Sequence, residues 1–325
     1  MTSSIYLLFF LGLGLISYGA NLLVTSTENI STKLNISHFM ASFIFIGLAT
    51  SAPEIFISIL SSINGKANIA IGNALGSNIA NIALVFAATI LFIKATDIKN
   101  RRIVNKEVIG FFIFLIILTV FIQPILIDGI IQKYEALLLL GLFLILIFLY
   151  KYYYYTEQNI NEASKKLIKQ MSGWRITATL LLGLFLLLSG TKIFLDSSIT
   201  IAKSFGISDY VIGLSITAVG TSIPELASSI ESARKKNIDF IVGNILGSNI
   251  FNTGIVVSLA GLFSYGLPNQ LDQMNIIRDI IMILITIIGF YIIIKNYTNS
   301  ITKILCVLLL TLFFVYQISL YDMNI

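Results

Sequence analysis

Hydrophobic runs of about 20 residues follow one another from one end of the chain to the other, separated by short polar connections. Each run is long enough to cross a hydrocarbon core about 30 Å thick as a helix. The runs are continuously apolar, whereas a membrane β-barrel alternates apolar and polar positions. The pattern therefore predicts an all-α polytopic membrane protein. We place ten transmembrane helices at residues 4–24, 38–61, 68–93, 107–123, 133–150, 174–196, 208–231, 239–263, 276–294 and 302–320.

The composition agrees with this class. Of the 325 residues, 57% are hydrophobic and 11% are charged, whereas a soluble domain carries about 25% charged residues. A soluble enzyme is thereby excluded. The lone Cys306 lies in an apolar run and predicts neither a disulfide framework nor a zinc site, and the lone His38 at a helix entrance is more typical of an interface than of a ligand. The first basic residue is Lys33, so we expect the opening run to remain as a span.

The distribution of positive charge predicts the orientation. Connections after the first, third, fifth, seventh and ninth spans hold 16 of the 21 Lys and Arg residues, whereas the opposite side holds four. Cytoplasmic loops carry the positive excess, so we expect both termini outside and a multi-pass protein of the cell (plasma) membrane. The net charge of +5 is explained by this topology and by anionic lipid, and not by nucleic acid as a partner.

An internal repeat organises the chain. Residues 50–81 align without gaps on 221–252 at an offset of 171, and 15 of the 32 positions are identical. We therefore divide the chain into an N-terminal half (1–150, with its motif at 47–81), a short cytoplasmic linker (151–173) and a C-terminal half (174–325, with its motif at 218–252). Because each half has five spans, the second half is inverted in the membrane. Inverted repeats are typical of secondary transporters whose site lies near the midplane.

Glu54 and Glu225 are the strongest chemical signals, because an ionisable residue within a span costs a few kcal/mol and indicates function. Each follows a proline, Pro53 or Pro224, which lacks the N–H that would bond the carbonyl four residues back, so we expect backbone carbonyl oxygens to be released there; a plain proline kink is the alternative. Residues with hydroxyl side chains lie on the same helical face as each glutamate. They are Thr50, Ser58 and Ser61 for Glu54, and Thr221, Ser229 and Ser232 for Glu225. Two carboxylates among neutral oxygens, without converging Cys or His, suit a hard cation such as Ca2+ or several Na+ ions.

A second motif shared by the two halves, at residues 72–81 and 243–252, allows two interpretations. Its glycines (Gly72, Gly76, Gly243 and Gly247) recur at four-residue spacing, which also mediates helix packing in membranes. Its polar residues share one face in each copy, namely Asn73, Ser77 and Asn81, then Asn244, Ser248 and Asn252. We expect the glycines mainly to pack helices and the polar side chains mainly to line the site.

Together these motifs resemble the two α-repeats of the sodium/calcium exchangers in the Ca2+:cation antiporter superfamily, of prokaryotic type. The resemblance implies that spans 1 and 6 slide across the remaining bundle. It also implies a ligand set: Glu54, Glu225, Thr50 and Thr221 for Ca2+, with Ser51, Ser77, Ser222, Ser248 and backbone carbonyls near Gly47 and Ala218 for Na+, and Asn81 and Asn252 at the centre.

The chain departs from the family pattern at two positions. Ala49 replaces a common glycine, and Asn252 stands where several relatives carry Asp. The second departure argues against a K+ requirement and leaves the Na+:Ca2+ stoichiometry open. The short linker leaves no room for a large regulatory domain.

Our hypothesis is electrogenic, Na+-driven Ca2+ antiport by alternating access. Ca2+ and Na+ are then transported ions, and no enzyme activity, organic cofactor or obligate protein partner is expected. A H+/Ca2+ antiporter remains an alternative, and a passive cation channel is the alternative from another class.

Overall fold

The computed structural model describes residues 2–93, 105–129, 131–154, 172–206, 218–264, 273–297 and 300–322. Within these ranges the secondary structure is helical and no β-strand occurs. The helices are α1 (Thr2–Leu34), α2 (His38–Thr50), α3 (Ala52–Ile63), α4 (Ala67–Phe92), α5 (Lys106–Leu126), α6 (Lys133–Tyr154), α7 (Gly173–Ser204), α8 (Ala218–Gly220), α9 (Ile223–Arg234), α10 (Ile238–Phe263), α11 (Gln273–Lys295) and α12 (Ser300–Asp322).

The predicted class is confirmed, while the number of spans remains a prediction. In the described part of the chain, eight helices are long and apolar enough to cross a membrane, and a ninth span is added if α2 and α3 count as one helix bent by 42°. The first part of the predicted span 208–231, up to residue 217, and most of the predicted linker 151–173 lie outside the described residues. Helices α1 and α7 extend well beyond the predicted spans, to 33 and 32 residues.

Helices α1 and α7 pack backbone to backbone. A Cβ atom at Gly19 would lie 2.5 Å from the amide nitrogen of Leu187, and one at Gly183 would lie 2.8 Å from that of Leu23. Gly12 and Gly190 allow equally close contacts along the same pair. Gly12 and Gly19 align with Gly183 and Gly190 at the same offset of 171 residues as the polar motifs, so the pair follows the internal repeat.

Polar contacts join α1 to the end of α9. Lys235 Nζ lies 3.1 Å from Glu28 Oε2 and donates to Thr25 Oγ1 at 2.6 Å. The side-chain amide of Asn21 donates to Glu231 Oε1 at 2.7 Å. The charged groups at this end of the two helices are therefore compensated by one another.

Helices α2 and α10 cross in close contact inside the bundle. A Cβ atom at Gly243 would lie 2.5 Å from the carbonyl oxygen of Phe39, and one at Gly47 would lie 3.0 Å from the Cα atom of Gly247. The Ser42 hydroxyl donates to the Phe240 carbonyl at 2.6 Å. This crossing brings the C-terminal end of α2 against the middle of α10.

Candidate cation-binding site

Both motif spans are interrupted next to their glutamates. Helix α2 ends at Thr50 before α3, and α8 ends before α9, with the breaks at Ser51 (φ −81°, ψ 1°) and Ser222 (φ −90°, ψ 6°). Pro53 and Pro224 lie in the first turn of α3 and α9, where a missing N–H removes no helical hydrogen bond. Each proline therefore starts a new helix and does not kink a continuous one, which excludes the alternative of a plain proline kink.

The two glutamates lie side by side at the starts of these new helices. Glu54 and Glu225 are in the first turns of α3 and α9, and both are fully buried. The positive end of a helix dipole favours a carboxylate at this position. The two side chains are close enough to repel each other, and no cationic side chain among the described residues offsets that repulsion. The pair therefore offers two buried acidic groups that a cation could neutralise together.

Hydroxyl groups surround these carboxylates. Ser77 Oγ approaches Glu54 Oε1 at 3.5 Å, which is long for a hydrogen bond. Thr50 and Ser248 lie beside Glu225 without donating a hydrogen bond of ordinary geometry to it. Their own oxygens are 3.1 Å apart. The arrangement places neutral oxygen atoms from α2, α4 and α10 around two acidic groups.

Several buried polar atoms of the two repeated motifs have no hydrogen-bond partner among the described residues. They are Ser51 Oγ, Ser222 Oγ, Glu54 Oε2, both carboxylate oxygens of Glu225 and both side-chain amide atoms of Asn81 and Asn252. Leaving a buried polar group unpaired costs about 1–3 kcal/mol, and more for a charged group. Such a cluster indicates a binding site, since a bound cation would satisfy its oxygens. The donor set contains oxygen and amide groups, and among the described residues no three His, Cys, Asp or Glu residues form a metal-binding group.

Local changes in helix winding mark the same positions. The chain adopts a π-helix over Asn81–Phe86 and again over Asn252–Val256, so both segments begin at equivalent residues of the repeat. A third π-helix, Ser42–Gly47, ends just before Thr50. Such segments are frequent at functional sites because they reorient the side chains and carbonyl groups of one turn. Sequence periodicity gave no signal for them.

The remaining predicted ligands are Gly47, Thr221 and Ala218, which lie at or near the two helix breaks. The Gly47 carbonyl accepts the Ser51 N–H at 3.1 Å and is approached by the hydroxyls of Thr50 and Ser248 at 3.3 and 3.4 Å. Thr221 lies at the break before α9 and is half-buried. Ala218 starts α8, and its side chain is outside the described part of the structure.

Some motif residues hold helices together instead of facing the carboxylates. The Ser58 hydroxyl donates to the Val256 carbonyl of α10 at 2.7 Å. Gly243 and Gly247 pack against α2, as expected. By contrast, a Cβ atom added at Gly72 or Gly76 would have no described atom within 4 Å, so these two glycines are not packing residues within the described chain. The two copies of the second motif are thus used differently.

Asn244 joins the two halves. Its side-chain Nδ2 contacts the Glu225 carbonyl at 3.2 Å and the hydroxyls of Ser228 and Ser229 at 3.0 Å each. Its Oδ1 lies 3.2 Å from Thr50 Oγ1. The sequence pattern predicts Asn244 on the polar face, and Asn244 is not among the ligands that the resemblance implies. Its bonds connect α10, α9 and α2, so we assign it a positioning role.

The Asn244→Ala variant is expected to unfold at a lower temperature than Asn73→Ala, although the two asparagines are equivalent in the repeat. Asn73 Nδ2 has no partner in the described structure, so its loss removes no bond from that atom. Losing the bonds of Asn244 is expected to cost about 1–2 kcal/mol. Thermal unfolding of both variants in one detergent measures the difference. Equal melting temperatures would contradict the positioning role.

Comparison with known proteins identifies the relatives of this fold. The sequence model of the sodium/calcium exchanger protein family matches residues 4–151 and 175–321. CaxA of Alkalimonas amylolytica, an antiporter candidate, is 34% identical over 272 residues, covering 82% of this chain and 82% of CaxA. The sodium/calcium exchanger MaX1 of Methanosarcina acetivorans is 29% identical over 289 residues, covering 79% of this chain and 83% of MaX1.

A solved structure extends the likeness to the whole bundle. The sodium-calcium exchanger NCX_Mj, soaked with 2.5 mM Na+ and 1 mM Sr2+, superposes with a TM-score of 0.78 at 29% identity, covering 98% of this chain and 99% of NCX_Mj. These findings support Ca2+/cation antiport by a multi-pass membrane protein, and the matched family is one of exchangers and not of enzymes. The resemblance of the motifs to the exchanger repeats is thus confirmed, and the chain belongs to the sodium/calcium exchanger family.

Proposed function

We propose that this chain is a Na+-driven Ca2+ antiporter that works by alternating access, with Ca2+ and Na+ competing for one site. The observation that carries the proposal is the pair of buried glutamates, Glu54 and Glu225, whose oxygens remain largely unpartnered within a shell of neutral oxygen donors. Such a site favours hard cations with a total charge near +2. One Ca2+ or a set of Na+ ions meets that requirement, and this supports exchange by competition.

The proposed ligands have distinct roles. The carboxylates of Glu54 and Glu225, with the oxygens of Thr50 and Thr221, would bind Ca2+. The Na+ positions would use uncharged oxygens on either side, from Ser51, Ser77, Ser222, Ser248, the carbonyls near Gly47 and Ala218, and the central Asn81 and Asn252. Support comes from the burial of the two acids and from the unpartnered hydroxyls of Ser51 and Ser222 at the helix breaks.

The proposed membrane arrangement follows from charge and repeat symmetry. We place ten spans in two inverted halves, 1–150 and 174–325, joined by a cytoplasmic linker at 151–173, with both termini outside the cell membrane. The excess of Lys and Arg in alternate connections supports this orientation. The equivalent breaks and equivalent π-helices in the two halves support the repeat as the functional unit.

Purified protein in liposomes tests the coupling ion. Vesicles loaded with Na+, choline or K+ at equal pH are diluted into radiolabelled Ca2+, with and without an imposed pH gradient. Uptake at least about 10-fold faster from Na+-loaded vesicles than from choline-loaded ones is expected, because outward Na+ movement provides the free energy for Ca2+ entry.

Other outcomes would replace the proposal. Uptake driven by the pH gradient without internal Na+ would assign the chain to H+/Ca2+ antiport. Equal uptake under every condition would indicate a passive cation channel. Vesicles containing protein with both glutamates replaced by glutamine provide the background rate.

A further inference from the structure

Polar side chains at the end of α1 join it to the end of α9. Lys235 Nζ lies 3.1 Å from Glu28 Oε2 and donates to Thr25 Oγ1 at 2.6 Å. One turn earlier on α9, Glu231 Oε1 accepts the side-chain amide of Asn21 at 2.7 Å. We call these five residues the α1–α9 polar cluster. They lie next to the connections after the first and seventh spans, which the positive charge predicts to be cytoplasmic.

The internal repeat supplies an equivalent pair of helices, α7 and α3, at the opposite end of the bundle. At the offset of 171 residues, Ile199 occupies the position of Glu28. Asn64 occupies the position of Lys235, and its side chain donates to the carbonyl of Leu60 on its own helix. The ion pair of the α1–α9 polar cluster therefore has no counterpart at the equivalent positions of the other half.

The two equivalent helix pairs also differ in burial. Glu231 of α9 is 7% exposed, whereas its counterpart on α3, Leu60, is 48% exposed. Asn29 of α1 is buried, whereas its counterpart on α7, Thr200, is exposed. At these positions α1 is closed against α9, while α7 and α3 are more open. Inverted repeats in unlike conformations describe one state of alternating access, and the other state follows when the halves exchange conformations.

The exchange requires α1 to separate from α9. Helices α1 and α7 touch backbone to backbone, because a Cβ atom at Gly19 would lie 2.5 Å from the amide nitrogen of Leu187. Such a pair moves as one body, so closing α7 against α3 at one end opens α1 from α9 at the other. Opening breaks the bonds of Lys235, and the positions of Asn64 and Ile199 offer no ion pair in return.

We propose that the α1–α9 polar cluster holds the cytoplasmic end closed and biases the conformational equilibrium toward the state that is open to the outside. This inference rests on the proposed function, since it requires alternating access. A contact that exists in one state stabilises that state relative to the other. The cytoplasmic face then binds Ca2+ with a lowered apparent affinity, because the intrinsic affinity is reduced by the fraction of protein in the competent state.

Ca2+ uptake measured separately at the two faces tests the bias. Na+-loaded inside-out and right-side-out vesicles, from cells that produce the protein, present the cytoplasmic and the outer face to radiolabelled Ca2+. Lys235→Met is expected to lower the KM for Ca2+ at the cytoplasmic face by about 3- to 10-fold, the range that a partly buried ion pair supplies. At the outer face we expect a change of less than about 2-fold, since the outward-open state remains the major one.

Two results would overturn the proposal. One is an unchanged KM at the cytoplasmic face, and the other is an equal change of KM at both faces, which would indicate an effect on the ion site itself. Glu28→Gln weakens the same ion pair and replaces Lys235→Met if that variant does not fold. Lys295→Gln is the charge control, because it removes a positive charge from the same predicted side, where Lys295 lies over the Tyr291 ring of its own helix. Both KM values should be unchanged in this control.

A variant that adds a contact separates the bias from a loss of stability. Asp196 of α7 is the counterpart of Thr25, which accepts a hydrogen bond from Lys235. Asn64→Lys would place a cation opposite Asp196 when α7 lies against α3. This variant removes nothing from the α1–α9 polar cluster, yet it favours the same inward-open state and is expected to lower the cytoplasmic KM by about 3-fold. An unchanged or raised cytoplasmic KM in the folded variant would contradict the proposal.

Chemical labelling reports the conformational equilibrium without transport. Ala227 lies one turn before Glu231 on α9 and packs against the apolar cluster that contains Ala20 and Leu23 of α1. With Cys306→Ala removing the native thiol, Ala227→Cys introduces a thiol that α1 covers while the cytoplasmic end is closed. A membrane-impermeant maleimide added to inside-out vesicles is expected to react at least about 3-fold faster with this thiol when Lys235→Met is also present.

The labelling rate distinguishes failure of the proposal from failure of the proposed function. If protons and not Na+ drive Ca2+ uptake, the proposed function fails, while a faster reaction in the Lys235→Met protein still supports the bias. If Na+ drives uptake but Lys235→Met changes neither the labelling rate nor the cytoplasmic KM, the proposed function stands and the bias is refuted.

Discussion

Glu54→Gln and Glu225→Gln are each expected to reduce Na+-dependent Ca2+ uptake by about 100-fold or more. Glutamine keeps the size of the side chain but removes one of the two negative charges. A Ca2+ ion in the altered site would retain one uncompensated charge, and breaking a buried charge pair costs about 3–5 kcal/mol, which corresponds to at least about 100-fold in binding. Initial uptake rates of radiolabelled Ca2+ into Na+-loaded liposomes measure the effect.

Glu107→Gln is the matched control for these variants. Glu107 is also a buried carboxylate, but its Oε1 accepts hydrogen bonds from Ser37 at 2.8 Å and from Tyr150 at 2.6 Å. A glutamine oxygen can accept the same bonds, so we expect uptake within about 3-fold of the unmodified rate. Size-exclusion profiles establish that each variant is folded. Full exchange by a folded Glu54→Gln or Glu225→Gln protein would refute the assignment of the site.

Gly19→Leu is expected to lower the stability of the bundle by about 3 kcal/mol and to lower the yield of folded protein. A Cβ atom at Gly19 would lie 2.5 Å from the backbone nitrogen of Leu187 and 2.8 Å from the carbonyl oxygen of Gly183. These are backbone atoms of a helix, so they cannot rotate away as a side chain would. The α1 and α7 helices would have to separate, and the thermal unfolding temperature in detergent measures the loss.

Gly14→Leu provides the control on the same helix. No described atom lies within 4 Å of a Cβ position at Gly14, so the added side chain meets open space next to α1. Leucine also has a better helix propensity than glycine by up to about 1 kcal/mol. We expect an unfolding temperature equal to or above that of the unmodified protein. If Gly19→Leu and Gly14→Leu unfolded at the same temperature, the close packing of α1 on α7 would be contradicted.

The sequence predicted the all-α membrane class because a continuously apolar segment in lipid must satisfy its backbone groups internally, which a helix does. It also revealed the internal repeat, since polar residues shared at equivalent positions within apolar spans do not arise from hydrophobic composition. Prediction was less successful for helix geometry. Pro53 indicated a disturbance of the span, but the choice between a kink and a break depends on whether neighbouring helices accommodate the departure from helical dihedral angles at Ser51.

The sequence by itself determined which residue types are buried in the membrane: two acids, a set of hydroxyls and amides, and no compensating cation in the motif spans. Only the tertiary structure decided which of these polar groups are available to an ion. Asn244 and Asn252 belong to the same motif face, yet the first is saturated by contacts with α2 and α9 whereas the second has no described partner. Hydrogen-bonding capacity is filled by neighbours far away in the chain, so the folded bundle, and not the local pattern, separates residues that join helices from residues whose polar atoms have no partner in the described structure.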